Sequence, residues 1–156
     1  MDELIKLVQT HHRFTRNQVR TNLDNNPKNI VVDSRGCKWL KKGPYSNTLR
    51  TGPILEHVKT ILPTINAVCL NRKRAESPPI APHYDKKNVG DVYTCFWGDF
   101  DNSNNQGALV TELGDVYTDK FVFHGPYRAS EVRHWVLPHS TGTRFSCIAF
   151  QENRKL

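Results

Sequence analysis

Val92-Tyr93-Thr94-Cys95-Phe96-Trp97 opens the stretch whose reading decides the fold. It is rich in β-branched and aromatic side chains, which fit a pleated, half-buried surface. Working outward, the same character returns at residues 107–112, 120–124, 134–137 and 144–150. The recurrence is roughly every twelve residues, the rhythm of short strands in a sandwich or barrel. Turn signals fill the gaps: the asparagines of 99–106, Gly114-Asp115, Gly125-Pro126 and Ser140-Thr141-Gly142. Residues 65–70 read as a further, buried strand.

On the N-terminal side the period changes from two to 3.6. Residues 2–10 read as a short amphipathic helix, with Asp2 and Glu3 near its start complementing the helix dipole. Pro53 suits the first turn of a second helix over 53–62. Its apolar residues, Ile54, Leu55, Val58, Ile61 and Leu62, make one face that should pack against a sheet. Between the helices, residues 29–33 read as a strand, Ser34-Arg35-Gly36 as a turn, and 37–40 as a hairpin partner. Residues 13–28 and 41–50 read as basic loops. The expected fold is mainly β with N-terminal helices: a double-stranded β-helix, or jelly-roll and cupin-like, core buttressed by helices. One domain would cover 1–156, with 1–64 as a basic support region and 65–151 as the core.

The chain has 156 residues, 37% hydrophobic and 24% charged, an ordinary composition for a soluble domain. No apolar run approaches membrane-span length, and the N-terminus lacks the layout of a signal peptide. An intracellular setting is expected, cytoplasmic or nuclear, or the host interior for a viral chain. The four cysteines, Cys37, Cys69, Cys95 and Cys147, form no Cys-x-x-Cys pair and are expected to be buried free thiols. Net charge is +7 and unevenly placed: residues 1–80 hold 14 Lys/Arg against 6 Asp/Glu, residues 81–156 hold 8 against 9. A basic front half suits a polyanionic partner; a well-solvated surface is the plain alternative. Arg35, Lys38, Lys41, Lys42 and Arg50 surround Trp39 and Tyr45. Aromatics among cations can stack bases while phosphates pair, although Trp39 can equally be core.

Within the strand-rich half lies a possible ligand set. His83 and Asp85 are two apart, so on an extended segment their side chains share a face and one ion could take both. A second histidine from elsewhere would complete two histidines and one carboxylate, the donor set of a non-haem iron(II) with open positions. His124, His134 and His139 compete for that place, and zinc accepts the same donors. Arg144 and Ser146 share one strand face, while Phe145, Cys147 and Ala149 point the other way. A guanidinium beside a hydroxyl suits a carboxylate-bearing co-substrate held by a planar fork.

His83-Tyr84-Asp85, about fifty residues, His134, ten residues, then Gly142-Thr143-Arg144-Phe145-Ser146 together resemble the iron(II)/2-oxoglutarate-dependent dioxygenases. The resemblance covers residues 65 to 151. Within that superfamily the surroundings look most like the TET/JBP branch of nucleic-acid hydroxylases. Leu70-Asn71, residues 83–90, Gly98-Asp99-Phe100 and Gly107-Ala108-Leu109 carry that likeness. Where many relatives have a Gly-Gly-Glu-Leu-like turn, this chain has Gln106-Gly107-Ala108-Leu109.

The resemblance implies that His83, Asp85 and His134 hold iron(II) and form the catalytic centre. It implies that Arg144, assisted by Ser146, binds the far carboxylate of 2-oxoglutarate, with O2 as the second co-substrate. It selects His134 from the three histidines by its distance from Arg144. It also brings Arg72, Lys73 and Arg74 toward the substrate backbone, with Asn71, Tyr84 and Asn88 flanking the site. The implied reaction is hydroxylation of a C–H bond, the methyl of 5-methylcytosine or thymine in nucleic acid, DNA rather than RNA. A prolyl-type protein hydroxylase or a small-molecule hydroxylase is the alternative. A monomer is expected, with no membrane partner.

Overall fold

The computed structural model describes residues 1–11, 35–37 (backbone only), 52–75, 80–86 and 88–152. The expected strand at 29–33, the hairpin partner beyond residue 37 and the loops at 13–28 and 41–50 lie outside the described residues.

Among the described residues, two α-helices and nine strands follow in order: α1 (Asp2–His11), β1 (Arg35–Cys37), α2 (Pro53–Ile61), β2 (Ala67–Arg74), β3 (Ile80–His83), β4 (Asn88–Trp97), β5 (Leu109–Thr111), β6 (Val116–Tyr117), β7 (His124–Tyr127), β8 (His134–Val136) and β9 (Thr143–Glu152). They form two antiparallel sheets. The larger has the order β1-β2-β9-β4-β7 and the smaller β3-β8-β5-β6. Apart from the consecutive pairs β1-β2 and β5-β6, neighbours in the sheets are not consecutive in the chain, as in a jelly roll.

The period-2 alternation of β2, β4 and β9 sorts side chains between two cores. Val68, Leu70, Cys95, Trp97, Cys147 and Ala149 face outward and pack with Leu4, Val8, Ile54, Leu55 and Val58 of the helices. This is the buttress expected from the 3,4 stripe of α2, except that Ile61, expected on the packed face, is exposed. Ala67, Cys69, Val92, Phe96 and Phe150 face inward and meet Ile80, Leu109 and Val136 of the smaller sheet. Toward one end, this inter-sheet layer turns polar. Asn71, Lys73, Thr94, Thr111, His134, Arg144 and Ser146 are all buried.

Several local expectations are corrected. Arg35-Gly36 is not a turn: residues 35–37 pair with Asn71, Arg72 and Lys73 of β2. Arg72 to Arg74 are not a loop, because pairing with residues 143–145 of β9 carries β2 through them. The strand expected at 120–124 starts only at His124 and runs through Gly125-Pro126. Lys120 instead donates to the carbonyls of Gly98 and Phe100, at 2.8 and 2.5 Å, and ties its loop to the end of β4. Cys95 and Cys147 are free and are cross-strand partners. Cys69 is disulfide-bonded rather than free.

Candidate metal centre

β8 is flanked by β3 and β5, and His134 at its start is the register partner of both His83 and Thr111. The pairing brings the two imidazoles together, with ring centroids 4.4 Å apart. Asp85 lies just past the end of β3. Its backbone N–H donates to Ala129 O at 2.8 Å, which fixes the chain as it leaves the sheet. His83, Asp85 and His134 each present a donor atom, all within 4.8 Å of one another. His124 and His139 lie elsewhere: the Nε2 of His124 is 2.6 Å from Asp119 O, and that of His139 3.0 Å from Gly142 O.

Each histidine ring is oriented from behind. Nδ1 of His83 donates to Ala81 O at 2.7 Å, and Nδ1 of His134 to Val132 O at 3.0 Å. A carbonyl only accepts, so the proton sits on Nδ1 and a neutral ring presents the Nε2 lone pair. Those Nε2 atoms face the two oxygens of Asp85, at 3.5 Å for His83 and 3.1 Å for His134. Lone pairs aimed at a carboxylate are satisfied by a cation between them or by protonated rings. Ligands about 2.1 Å from one ion in adjacent octahedral positions stand about 3.0 Å apart. The spacing therefore fits a metal held on one face. Burial pushes the Asp85 carboxyl up, but with protonated rings in place of a metal, hydrogen bonds from His134 and His83, and their charge, outweigh it and hold it well below the usual carboxylate range. The group is thus ionised, as a ligand must be. Tyr127 packs edge-on against His134 at 5.3 Å, and its hydroxyl is 2.9 Å from Thr94 Oγ1.

The triad opens into a cavity between the sheets. Its opposite wall comes from β2, β4 and β9, with Asn71, Lys73, Thr94, Arg144 and Ser146 among its lining. Arg144 donates from Nε to Gly107 O at 2.8 Å, and its guanidinium lies 4.5 Å from the centre of the Phe96 ring. Gly107 sits before β5, whose Thr111 pairs with His134. Four residues of nearly extended chain thus separate the Arg144 anchor from the triad, about 13 Å at most. That separation suits a small extended acid bound at both ends.

The remaining sequence candidates are placed as follows. Asn71 lines the cavity, whereas Arg72 and Arg74 lie on the other face of β2. Tyr84, between two triad residues, is 42% exposed. Asn88 begins β4 and is outside the cavity lining. Lys73, read in the sequence as one of three cations on a loop, is only 2% exposed and belongs to the wall. Thr94 and Tyr127 carried no sequence signal for the site. The alternation Val92-Thr94-Phe96 would have placed Thr94 inside once β4 was known to be covered on both faces.

No protein-family model and no curated protein matches the chain significantly. Among solved structures it is similar to NgTET1 in complex with 5mC DNA, at 16% identity and a TM-score of 0.46, over 57% of this chain and 34% of that one. It is also similar to an oxidoreductase of the 2OG-Fe(II) oxygenase family from Burkholderia pseudomallei, at 18% identity and a TM-score of 0.41, over 65% of this chain and 55% of that one. The chain therefore spans about a third of the first and just over half of the second. At such identities and scores, the chemistry of the site has to be argued from its own residues.

Proposed function

We propose that this chain is an iron(II)- and 2-oxoglutarate-dependent dioxygenase that hydroxylates a C–H bond, with a methylated or methyl-bearing pyrimidine in nucleic acid as substrate. The observation that carries the reading is the convergence of His83, Asp85 and His134 at one end of a cavity that also buries Arg144 and Ser146. Two imidazole nitrogens and one carboxylate leave positions open for a bidentate co-substrate and O2, which suits iron(II) chemistry. Iron(II) with 2-oxoglutarate and O2 supplies an oxidant strong enough for an unactivated C–H bond.

The protein's own part is positioning. His83 and His134 are held by their Nδ1–H bonds to backbone carbonyls, and Asp85 by its backbone bond to Ala129. Arg144, fixed by Gly107 O and Phe96, offers its guanidinium to the far carboxylate of 2-oxoglutarate, beside the Ser146 hydroxyl. The apolar lining from Ile80, Leu109, Val136 and Ile148 excludes water around the reacting centre. For the nucleic-acid substrate the support is the TET/JBP-like surroundings of the motif and the basic residues 1–80. Tyr84 and Asn71 are the residues best placed to meet a base entering beside the triad.

The test is anaerobic titration of metal-free protein with iron(II) and 2-oxoglutarate, read by the weak visible charge-transfer band of the chelate. Oxygen is then admitted with methylated DNA present and succinate is measured. The expected result is a band that is lost in His134→Ala, and succinate formation stimulated by DNA in a salt-dependent way. A band with no DNA stimulation keeps the oxygenase and removes the nucleic acid, which moves the search to peptides and small molecules. Absence of a band under reducing conditions overturns the iron reading.

A further inference from the structure

Residues 113–122 carry apolar side chains that the fold leaves in solvent. Leu113 is 72% exposed, Val116 46%, Phe121 49% and Val122 46%. They are four of the seven large apolar side chains exposed among the described residues, gathered within ten consecutive positions. The segment runs along one border of the sandwich. β6 is the last strand of the smaller sheet and β7 the last of the larger. Tyr117 of β6 stacks on His124 of β7, with ring centroids 5.0 Å apart. Tyr117 packs against the inter-sheet core, so Val116 beside it points outward. None of the four apolar side chains lines the cavity of the metal centre.

Polar ties hold the β6–β7 connection from within. The Phe121 N–H donates to Phe96 O at 3.0 Å, Asn102 Nδ2 to Thr118 O at 3.1 Å, and Lys120 to the carbonyls of Gly98 and Phe100. Phe121 is thereby held at φ +66°, in the left-handed region that a bulky side chain rarely enters. Its ring belongs to neither core cluster. An aromatic kept at a glycine-like position and turned toward water has the character of an interface anchor, and a fixed loop loses little freedom when a partner binds. The charge around it is acidic. Residues 112–122 contain Glu112, Asp115 and Asp119, and their one cation, Lys120, turns its ammonium inward to the two carbonyls and the Phe100 ring. Glu112 lies 3.7 Å from Arg133, while Asp119 is exposed. On a chain of net charge +7 this is a local reversal of sign. A phosphate backbone is repelled here, and so is a second copy presenting the same face. We propose that residues 113–122 form a docking surface for another protein, one that brings an apolar segment flanked by lysine or arginine. Phe121 and Val122 are its apolar anchors, and the carboxylates beside them select the cationic flank.

The experiment pans a random peptide library on phage against the immobilised full chain, then measures the recovered peptides by fluorescence anisotropy. The peptides should combine apolar residues with a net positive charge and bind more weakly as salt rises. Phe121→Gly should weaken them by about tenfold or more, as loss of an interface anchor does. Val122→Ser should weaken the same peptides, and Asp119→Lys should weaken them at low salt. Glycine suits the backbone at position 121, so that variant should stay folded by circular dichroism. If it does not, Val122→Ser carries the comparison. Recovery of no peptide, of peptides without cations, or of peptides that bind the variants as tightly as wild type overturns the proposal. Two other occupants are read in parallel. Self-association of the wild type in sedimentation, lost in Phe121→Gly, would give the surface to a second copy. Binding to phosphatidylcholine vesicles, lost in the same variant, would give it to a lipid surface. Either result overturns the assignment to a basic, apolar protein segment.

Discussion

Arg144 makes three demands on its side chain at once. It must donate from Nε to Gly107 O, set its guanidinium over the Phe96 ring, and present a charge to the cavity. A lysine meets only the last of these, because it has no Nε–H and no planar face. Arg144→Lys therefore leaves the Gly107 carbonyl without its donor in a buried setting, a loss of about 1–3 kcal/mol. It also replaces a fork by a point charge where the co-substrate is to be held. We expect the variant to fold with a lowered denaturation midpoint and to bind 2-oxoglutarate at least about tenfold more weakly. Iron(II) binding without co-substrate should be unchanged, since none of the triad's hydrogen bonds involves Arg144. Wild-type affinity for 2-oxoglutarate in this variant would remove Arg144 from the co-substrate site.

The same anchor depends on the segment leading into β5. Gly107 has φ +69°, and a Cβ added there would meet a ring carbon of Phe100 at 2.7 Å and Cδ of Arg144 at 3.4 Å. Gly114, in the β5–β6 turn, has φ +94° with nothing within 4 Å. Alanine at either position meets the backbone strain of the left-handed region, about 1–2 kcal/mol. Only at Gly107 must Phe100 also shift, in a position that touches Arg144 as well. Gly107→Ala should therefore be the less stable of the two in urea unfolding and the only one to weaken 2-oxoglutarate. Equal behaviour of the two variants would show that the packing at Gly107 is unimportant. Other elements divide between those readable in sequence and those that required the sheet. β4 from Val92 onward, β9 and α2 were legible because β-forming residues or a 3,4 stripe run through them, whereas Asn88 to Asp91, with Gly90 among them, belong to β4 only by pairing with β9. The strand character of Arg72 to Arg74 was not, because three successive cations before a proline-rich stretch look like a loop until β9 pairs with them. β1 is three residues with Gly36 at its centre, and it exists through its bonds to β2. β7 contains Gly125-Pro126, turn residues in any local reading, and it is a strand by pairing with β4. The site divides the same way. The face shared by His83 and Asp85, and that shared by Arg144 and Ser146, follow from strand geometry. The choice of His134 needed the family spacing or the register of β8. Lys73 became visible as a wall residue only when β2 was seen to continue past Asn71.

At the scale of the whole molecule, the two sheets are held together by an apolar layer at one end and lined by charge at the other. The helices add their apolar faces only to the outer side of the larger sheet. No helix among the described residues is long and apolar enough to cross a membrane. The polar end of the inter-sheet layer is where stability and function meet. His83, His134 and Asp85 gather donor atoms around a point that a cation would satisfy, and Arg144 ties β9 to the loop entering β5. A metal bound at the triad and an acid reaching Arg144 would each touch both halves of the sandwich in its native arrangement. In the unfolded chain these groups are scattered and bind neither. Binding must then stabilise the fold by mass action, about 2.7 kcal/mol at a hundred times the dissociation constant. In a domain of this size each kcal/mol moves the melting midpoint by about 2–4 °C, so the expected rise is about 5–10 °C. Thermal unfolding with manganese(II) and 2-oxoglutarate, without oxygen, reads it directly. A chelator should abolish the metal-dependent part of the shift, and His134→Ala should show none of it. If the metal and the acid meet at one site, as proposed, their joint shift should exceed the sum of the two separate ones. A strictly additive pair of shifts would place the acid away from the metal and break the link between the triad and Arg144.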